Sequence, residues 1–598
     1  MTAPTANRLP LTQSQKSLLL LREMLPVAHL YNTLTEVELD PSYTDDEVRT
    51  ALAAVVAAQP ALRTVMVDAP EPHAVLTEPP TAGELPFHSA PHGGDDPVGA
   101  AADRLATWPF DLHGGPLYRF CLVRADRWAV LLVSIHHIVF DGLSIRPLAD
   151  DLSAALRGAD VAVLREAREK ALATELAGQH RAAQNAATLA QARDWAAEFR
   201  DLPEATLYPH SDRPADATFH GAHIRWTVDG DTARALAALC RGRGVSTFEF
   251  FSAIYAAVVA RHSAVSAVVL GTPLMSRSTP GAFGLCGFFV NTLPLTVPVE
   301  WSAPFDEFVR STVREAVRRT RSRAAVGFNQ IVEHLRQVRT GNRNPVFSCV
   351  IAMQEGHPPR PDEPVRAVGE RANGTAKFDC GLNVTAFDGG WTLDIEYDRG
   401  ILPAEVAGAV GESLRTALDR ALSMPDRPVA DLFVDADPEG GDPSGGMTQI
   451  IDASGHLAPV GVPGRRHRVG EAPPEGDWPD LSDLVLRNVD GEIARIGDAS
   501  VTGTTAPGGR PPDTPSPRED GYADDLEREV AELWMELLEL PAIDPSHSLL
   551  EYGAHSLLVF TALSRVRRKY QVAVPIIEFF KEPTVTATAE AVRRRRRP

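Results

Sequence analysis

Residues 128–144 read WAVLLVSIHHIVFDGLS, an apolar run broken by a single serine that stops at two adjacent histidines, His136 and His137, with Asp141 and Gly142 close behind. A strand whose apolar residues do not alternate with polar ones is covered on both faces. The chain must therefore place layers on both sides of at least one sheet, which points to an α/β body. Neighbouring strand residues point to opposite faces, so the two histidines cannot play the same part. One can face a channel while the other is held in the packing. Asp-Gly supplies a tight turn, because Gly accepts positive φ and Asp accepts local backbone hydrogen bonds. A pair of satisfied core histidines at a strand end explains any lone His-His; four fixed positions in seven set this segment apart from that reading.

From residue 11 to residue 432 helical periodicity alternates with short apolar runs. The pattern predicts helices over 45–58, 167–199, 233–261 and 305–320, and strands over 128–135, 267–271, 346–353 and 391–397. The polar stretch YPHSDRPADAT at 208–218 divides this body into two lobes, about 1–207 and about 215–435. Composition then shifts: residues 436–519 hold EGGDPSGG, APPEGDWP and TTAPGGRPPDTPSPRE, the chemistry of a linker. Beyond it, Leu526, Val530, Leu533, Trp534 and Leu537, then Leu557, Leu558, Ala562 and Val566, repeat at helical spacing, which predicts a small helical bundle over 520–592. Arg593 to Arg597 end the chain as five consecutive arginines, expected to form a solvated, disordered basic tail over 593–598.

HHIVFDG resembles the HHxxxDG signature of nonribosomal peptide synthetase condensation domains, members of the chloramphenicol-acetyltransferase-like superfamily. Seven further segments match that family in order: LTQSQKSLLLL with Tyr31 and Asn32; QPALRT with Leu62, Arg63 and Thr64; SDRP at Ser211 to Pro214; GTPLMSR ending at Arg277; GFFVNTLPL from Gly287 to Leu295; NRNPVF from Asn342; and AKFD from Ala376 to Asp379. Departures lie at Leu19 or Leu20, where an aromatic is common, in LAGQHRAAQNAATLAQARDW, and in AVGFNQ with Phe328 and Asn329. The resemblance implies two chloramphenicol-acetyltransferase-like lobes forming a V-shaped pseudo-dimer around a central tunnel. It implies that His137 faces the tunnel as catalytic base or positioning acceptor for amide bond formation, that His136 is structural, that Asp141 pairs with Arg277, and that the Gly142 backbone allows close approach to the reacting thioester. No metal is implied.

LLEYGAHSLLVFTALSRVRRKY, with Gly553, His555, Ser556 and Leu557, resembles the attachment motif of peptidyl carrier proteins, all-α four-helix bundles. An ordinary helix start would also place Ser there; the helical context after a linker, beside condensation motifs, favours the carrier. The resemblance implies a covalent 4′-phosphopantetheine on Ser556, added by a phosphopantetheinyl transferase. Within 436–519, MTQIIDASGHLAPVGVPGRRHRVG and LSDLVLRNVDGEIARIGD resemble two segments of adenylation domains, without the Gly-rich phosphate loop or the catalytic lysine segment. A degenerate remnant acting as spacer is expected, with the carrier loaded in trans by a separate adenylation enzyme.

The expected partners are an upstream donor carrier protein, because the chain starts near the condensation motifs, and a downstream synthetase or releasing enzyme, because it ends at the carrier. Charge weighs against nucleic acid as a partner: 59 basic and 79 acidic residues give −20. No apolar run reaches the roughly 18 to 20 residues of a membrane span. Five separated cysteines with no C-x-x-C spacing suggest neither a disulfide framework nor a zinc site, which fits a cytoplasmic protein. The rival readings are an epimerisation domain, a noncatalytic condensation-like platform that recruits tailoring enzymes, and a small-molecule acyltransferase.

Overall fold

The computed structural model describes residues 8–24, 27–67, 72–90, 93, 95–199, 202, 207, 213–214, 218–263, 265–335, 344–387 and 389–433, then 448–451, 465–468, 485–487, 493–495, and 522–596 apart from 539, 550–551, 553–555, 571, 573, 575–578 and 580–581. After a short strand at Arg8–Pro10 the first half holds helix α1 (Gln13–Met24), strand β1 (Asn32–Leu39) and helix α2 (Asp45–Ala58). Strand β2 (Phe87–Ala90), helix α3 (Pro97–Thr107), the hairpin β3 (Tyr118–Ala125) and β4 (Trp128–His136), and helices α4 (Ile145–Leu156), α5 (Arg165–Ala183) and α6 (Ala186–Glu198) follow. The second half holds β5 (Gly221–Val228), α7 (Gly230–Arg243), α8 (Thr247–Ser263), β6 (Ala267–Met275), β7 (Val290–Pro298), β8 (Cys349–Glu355), β9 (Val365–Glu370), β10 (Cys380–Phe387), β11 (Gly390–Asp398) and α9 (Ala404–Ser423).

The first sheet runs β9-β1-β4-β3-β2, which puts the histidine-bearing strand β4 at its centre. Leu131, Val133 and Ile135 enter a core shared with α2 and α4, while Leu132 enters a second core with Leu34 and the α3 residues Ala101, Ala102 and Leu105. Covering on both faces is the reason β4 lacks polar alternation. The second sheet runs β7-β6-β8-β10-β11-β5, with β6, β8 and β10 parallel. Against it lies α8, in which every residue from Phe250 to Ser263 is buried, as expected of a helix without a polar face.

Two segments of the second half are built into the first, so the division near 207–215 separates stretches of chain and not two independent cores. Ala282, Leu285, Cys286, Phe288 and Phe289 are buried in the β4 core. Strand β9 pairs antiparallel with β1 and closes an edge that would otherwise present unpaired backbone groups.

Three of the expected helices are interrupted. The helix expected over 167–199 is two, because the Asn185 side chain accepts the Ala187 N–H and caps a new start. The one expected over 233–261 breaks at Gly244, whose φ of 63° is the left-handed conformation that ends helices at glycine. The one over 305–320 carries a π turn at Val309–Val313.

Within 434–521 the described residues form two antiparallel strand pairs, β12 (Thr448–Ile451) with β13 (Arg465–Arg468) and β14 (Val485–Arg487) with β15 (Ile493–Arg495). Each pair lies within one of the two adenylation-like segments. The C-terminal unit has, among the described residues, three helices: α10 (Asp525–Leu538), α11 (Ser556–Tyr570) and α12 (Val585–Arg596). Val530, Trp534, Val559, Ala562, Val566 and Val592 form its core, and Leu20 of α1 packs against that cluster. The expectation of a disordered basic tail is corrected here, since Arg593 to Arg596 continue α12. Arg593 meets Asp524 at 2.7 Å and the Arg596 guanidinium lies 5.3 Å above the Tyr570 ring, so an acidic and an aromatic neighbour absorb part of the charge.

Candidate active site

Strand β4 ends at His136, and a 3-10 turn, His137–Val139, begins at the next residue. His136 is 1 % exposed and sits opposite Asn32 of β1 in the register. Its Nδ1 accepts the Ile138 N–H at 3.1 Å, so its proton is on Nε2, a buried atom with no partner among the described residues. Burial above all, then the neighbouring His137, pushes its pKa down to about 3. A buried histidine that stays neutral and uses one nitrogen to close a turn is a structural element.

His137 is arranged the opposite way. Its backbone N–H donates to the Tyr31 carbonyl at 2.8 Å, which ties the turn to the loop before β1. Its Nδ1 lies 2.5 Å from the Phe140 carbonyl, an acceptor only, so Nδ1 carries the proton and Nε2 keeps its lone pair. The Phe288 ring, 4.8 Å away between centroids, packs on the imidazole. Burial, and then the charge of Lys377, lowers the His137 pKa to about 4. The Lys377 ammonium lies 5.9 Å above the Tyr31 ring.

Asp141 is wholly buried and sits in a nest of donors. Arg277 meets it through Nη1 at 3.0 Å and Nη2 at 3.0 Å, both side chains being almost fully enclosed. The Phe289 N–H donates at 3.0 Å, and Ser144 donates from its backbone at 3.0 Å and its hydroxyl at 2.8 Å. Burial pushes the Asp141 carboxyl up, while the Arg277 guanidinium pulls against it. The remaining Arg277 donors go to the carbonyls of Ala282 and Leu285, and its plane stacks 4.8 Å from the Phe289 ring. Asp141 belongs to the first half and Arg277 follows β6 of the second, so the pair joins the two.

A second buried carboxylate supports the same crossover. Glu175 of α5 accepts the N–H and the hydroxyl of both Ser278 and Thr279, at 2.7 to 2.9 Å. Other motif residues act as ties at a distance: Arg63 pairs with Glu169, Arg213 holds Asp379 in two hydrogen bonds of 2.6 and 2.7 Å, and Asn291 donates to the Val326 carbonyl at 2.7 Å. Sequence reasoning missed Ser144, Glu175 and Phe288. Ser144, three residues after Asp141, forms a reciprocal cap with it, a spacing that was there to be read.

Gly142 starts the short turn Gly142–Ser144, and a methyl built on it would lie 3.3 Å from Gln354 Oε1 and 3.5 Å from Glu370 Oε1. A strand of each sheet, β8 of the second and β9 of the first, therefore reaches this residue. In the C-terminal unit Ser556 is the first residue of α11, while Gly553 and His555 lie outside the described residues.

A family model described as "Condensation domain" matches residues 5–439, and one described as "Phosphopantetheine attachment site" matches 528–592. Phosphinothricin tripeptide synthetase PhsC of Streptomyces viridochromogenes is 31 % identical over 421 residues, 68 % of this chain and 38 % of that protein. The chain thus spans well under half the length of this relative. Among solved structures, the first condensation domain of the calcium-dependent antibiotic synthetase, with a substrate analogue, aligns at a TM-score of 0.59 and 18 % identity over 72 % of this chain and 99 % of that one. The X-domain from teicoplanin biosynthesis aligns at 0.58 and 21 % over 73 % and 99 %. At these identities the structural likeness shows the fold alone.

The two histidines carry a measurable signature. Nitrogen-detected NMR at pH 6 should find both neutral and in opposite tautomers, His136 protonated on Nε2 and His137 on Nδ1. Between about pH 6.5, where unfolded histidines take up protons, and about pH 4, the unfolded chain holds more protons than the native one. Stability should therefore fall as pH drops through that window. A His137 that titrates near pH 6.5 would contradict this arrangement.

Proposed function

The chain belongs to the condensation-domain family, and on that premise we propose that it forms an amide bond between an acyl or peptidyl thioester delivered by an upstream carrier protein and the amine of an aminoacyl thioester held on its own Ser556. The observation that carries this reading is the His137 Nε2, whose lone pair is left free because Nδ1 is committed to the Phe140 carbonyl. The Asp141–Arg277 pair supports it by holding the turn that presents that nitrogen.

The 4′-phosphopantetheine group that Ser556 would hold supplies a thiol on which an aminoacyl chain is carried as a thioester. Ser556 suits it: it opens α11, and the unpaired N–H groups and positive end of a helix start favour a phosphate. Ser556 also falls inside the attachment-site match.

His137 accepts a hydrogen bond from the incoming amine and aims its lone pair. A base with pKa near 4 keeps a proton poorly at neutral pH, so orienting the amine weighs more than storing its proton. Asp141 stays out of the reaction, since its oxygens are taken by Arg277, Phe289 and Ser144. His136 closes the turn. Gly142 lets Gln354 and Glu370 come close on the other side of the loop.

Loading of Ser556 in trans by a separate adenylation enzyme follows from the 436–519 segment, too short for an adenylation domain and without a phosphate loop or catalytic lysine. The strand pairs β12–β13 and β14–β15 fit a degenerate remnant of one. A phosphopantetheinyl transferase and a downstream synthetase or releasing enzyme complete the set of partners.

Coexpression with a phosphopantetheinyl transferase should add one 4′-phosphopantetheine mass to the protein, and Ser556→Ala should abolish it in intact-mass spectra. Modification that survives the substitution would remove the carrier assignment. With donor carrier and loading enzyme supplied, His137→Ala should slow single-turnover amide formation about 10²-fold or more without lowering the melting temperature. Full turnover in that variant would contradict the role given to His137. Absence of product with every partner pair, together with tight binding of another pathway enzyme, would favour the recruiting platform.

A further inference from the structure

The loop after His137 runs beside a carboxylate that, among the described residues, no positively charged side chain pairs with. Glu370 ends β9, the strand the second half contributes to the first sheet, and it stands opposite Thr35 in the register. Its Oε2 accepts the Gln354 amide at 3.2 Å, and the same amide nitrogen lies 3.5 Å from the Thr385 hydroxyl. That contact leaves Oε1 turned to Gly142, where it would lie 3.5 Å from an added methyl. Among the described residues Glu370 makes no ion pair, although its neighbours do: Arg371 is held by Glu36 at 2.9 Å. The carboxylate is exposed, and it sits where the turn from His137 to Gly142 and strands of both sheets converge.

We propose that Glu370 is a specificity-determining residue that receives a positively charged amine of the donor acyl chain as that chain passes Gly142. The inference rests on the condensation reading for the direction in which substrates run. It assigns the cation to the donor for a chemical reason. The nucleophilic amine must reach His137 without its extra proton, and a carboxylate favours the protonated form. On the His137 side the nearby charge is Lys377, which repels an ammonium. The two ends of the loop thus carry opposite electrostatics: a cation beside the imidazole that keeps the attacking amine neutral, and an anion beside Gly142 that suits an amine taking no part in the reaction. The donor class is an aminoacyl or peptidyl chain with a free amine or a basic side chain, in preference to a fatty or N-acylated one.

Glu370→Gln keeps the shape and leaves an oxygen to accept the Gln354 amide, so the fold should be preserved, with an unchanged melting temperature as the control. The probes are pantetheine amides that cannot transfer their acyl group: alanyl, N-acetylalanyl and Nα-acetyl-lysyl aminopantetheine, titrated calorimetrically into the full-length protein. The unmutated protein should bind at least one cationic probe about 10-fold more tightly than N-acetylalanyl, the size of one charge-assisted hydrogen bond. Glu370→Gln should lose that preference, and so should the unmutated protein in high salt. Equal binding of all three probes, or a preference that survives the substitution, would overturn the proposal. Because no probe reacts, the outcome is independent of amide formation: a protein with this preference that makes no product would refute the condensation reading, and with it the donor assignment, and leave standing only that Glu370 receives the cation.

Discussion

The buried ion pair between Asp141 and Arg277 is the constraint on which the site rests. Both side chains are almost completely enclosed, and two buried charges are tolerable only when their hydrogen-bonding capacity is met. Here it is met from both halves of the chain: Ser144 from the turn after Gly142, Phe289 and the carbonyls of Ala282 and Leu285 from the crossover segment. The pair thus fixes two backbones at once. One carries His137; the other carries Phe288, which packs on the imidazole. A hydrophobic pair of similar volume would stabilise as well or better, but it would not dictate the angle of either loop.

From that clamp the chemistry divides cleanly along seven residues. His136 spends its nitrogen on the turn, His137 keeps one nitrogen for a ligand, Asp141 is consumed by structure, and Gly142 admits the close approach of Gln354 and Glu370. The low pKa of His137 follows from burial and from Lys377 and makes the imidazole a guide for an amine more than a store for its proton. Such a site suits a reaction whose acyl group is already activated as a thioester, where arrangement of the reactants supplies much of the rate.

Much of this was legible in the sequence for identifiable reasons. A central strand covered on both faces shows as an unalternating run, so β4 was visible; the two histidines do differ in role, but not through strand alternation, since the strand ends at His136 and His137 begins a 3-10 turn. Helix α2 was readable end to end because Thr44 and Glu47 form a reciprocal cap at its start. The breaks at Asn185 and Gly244 were misread as continuous helix, since the surrounding residues keep helical periodicity and only one residue in each case decides. What stayed hidden was long-range. That residues 280–289 and strand β9 serve the first half depends on an open sheet edge and a buried carboxylate far away in sequence, and neither leaves a local pattern. The placement of Lys377 and Glu370 depends on the same tertiary approach, whereas the tautomers of the histidines are set within the turn itself, by the Ile138 N–H and the Phe140 carbonyl.

The claim that Asp141 is a clamp and not a participant is tested most directly by a double-mutant cycle on Asp141→Ala and Arg277→Ala, with unfolding free energy and single-turnover amide formation measured on the same samples. Each single substitution strands a buried charge and should cost about 3 to 5 kcal/mol. The double variant should cost about the same as either one alone, and turnover should fall in step with the lost structure. Additive costs, or an Asp141→Ala protein that keeps its stability while losing turnover, would contradict the account and move Asp141 into the reaction itself.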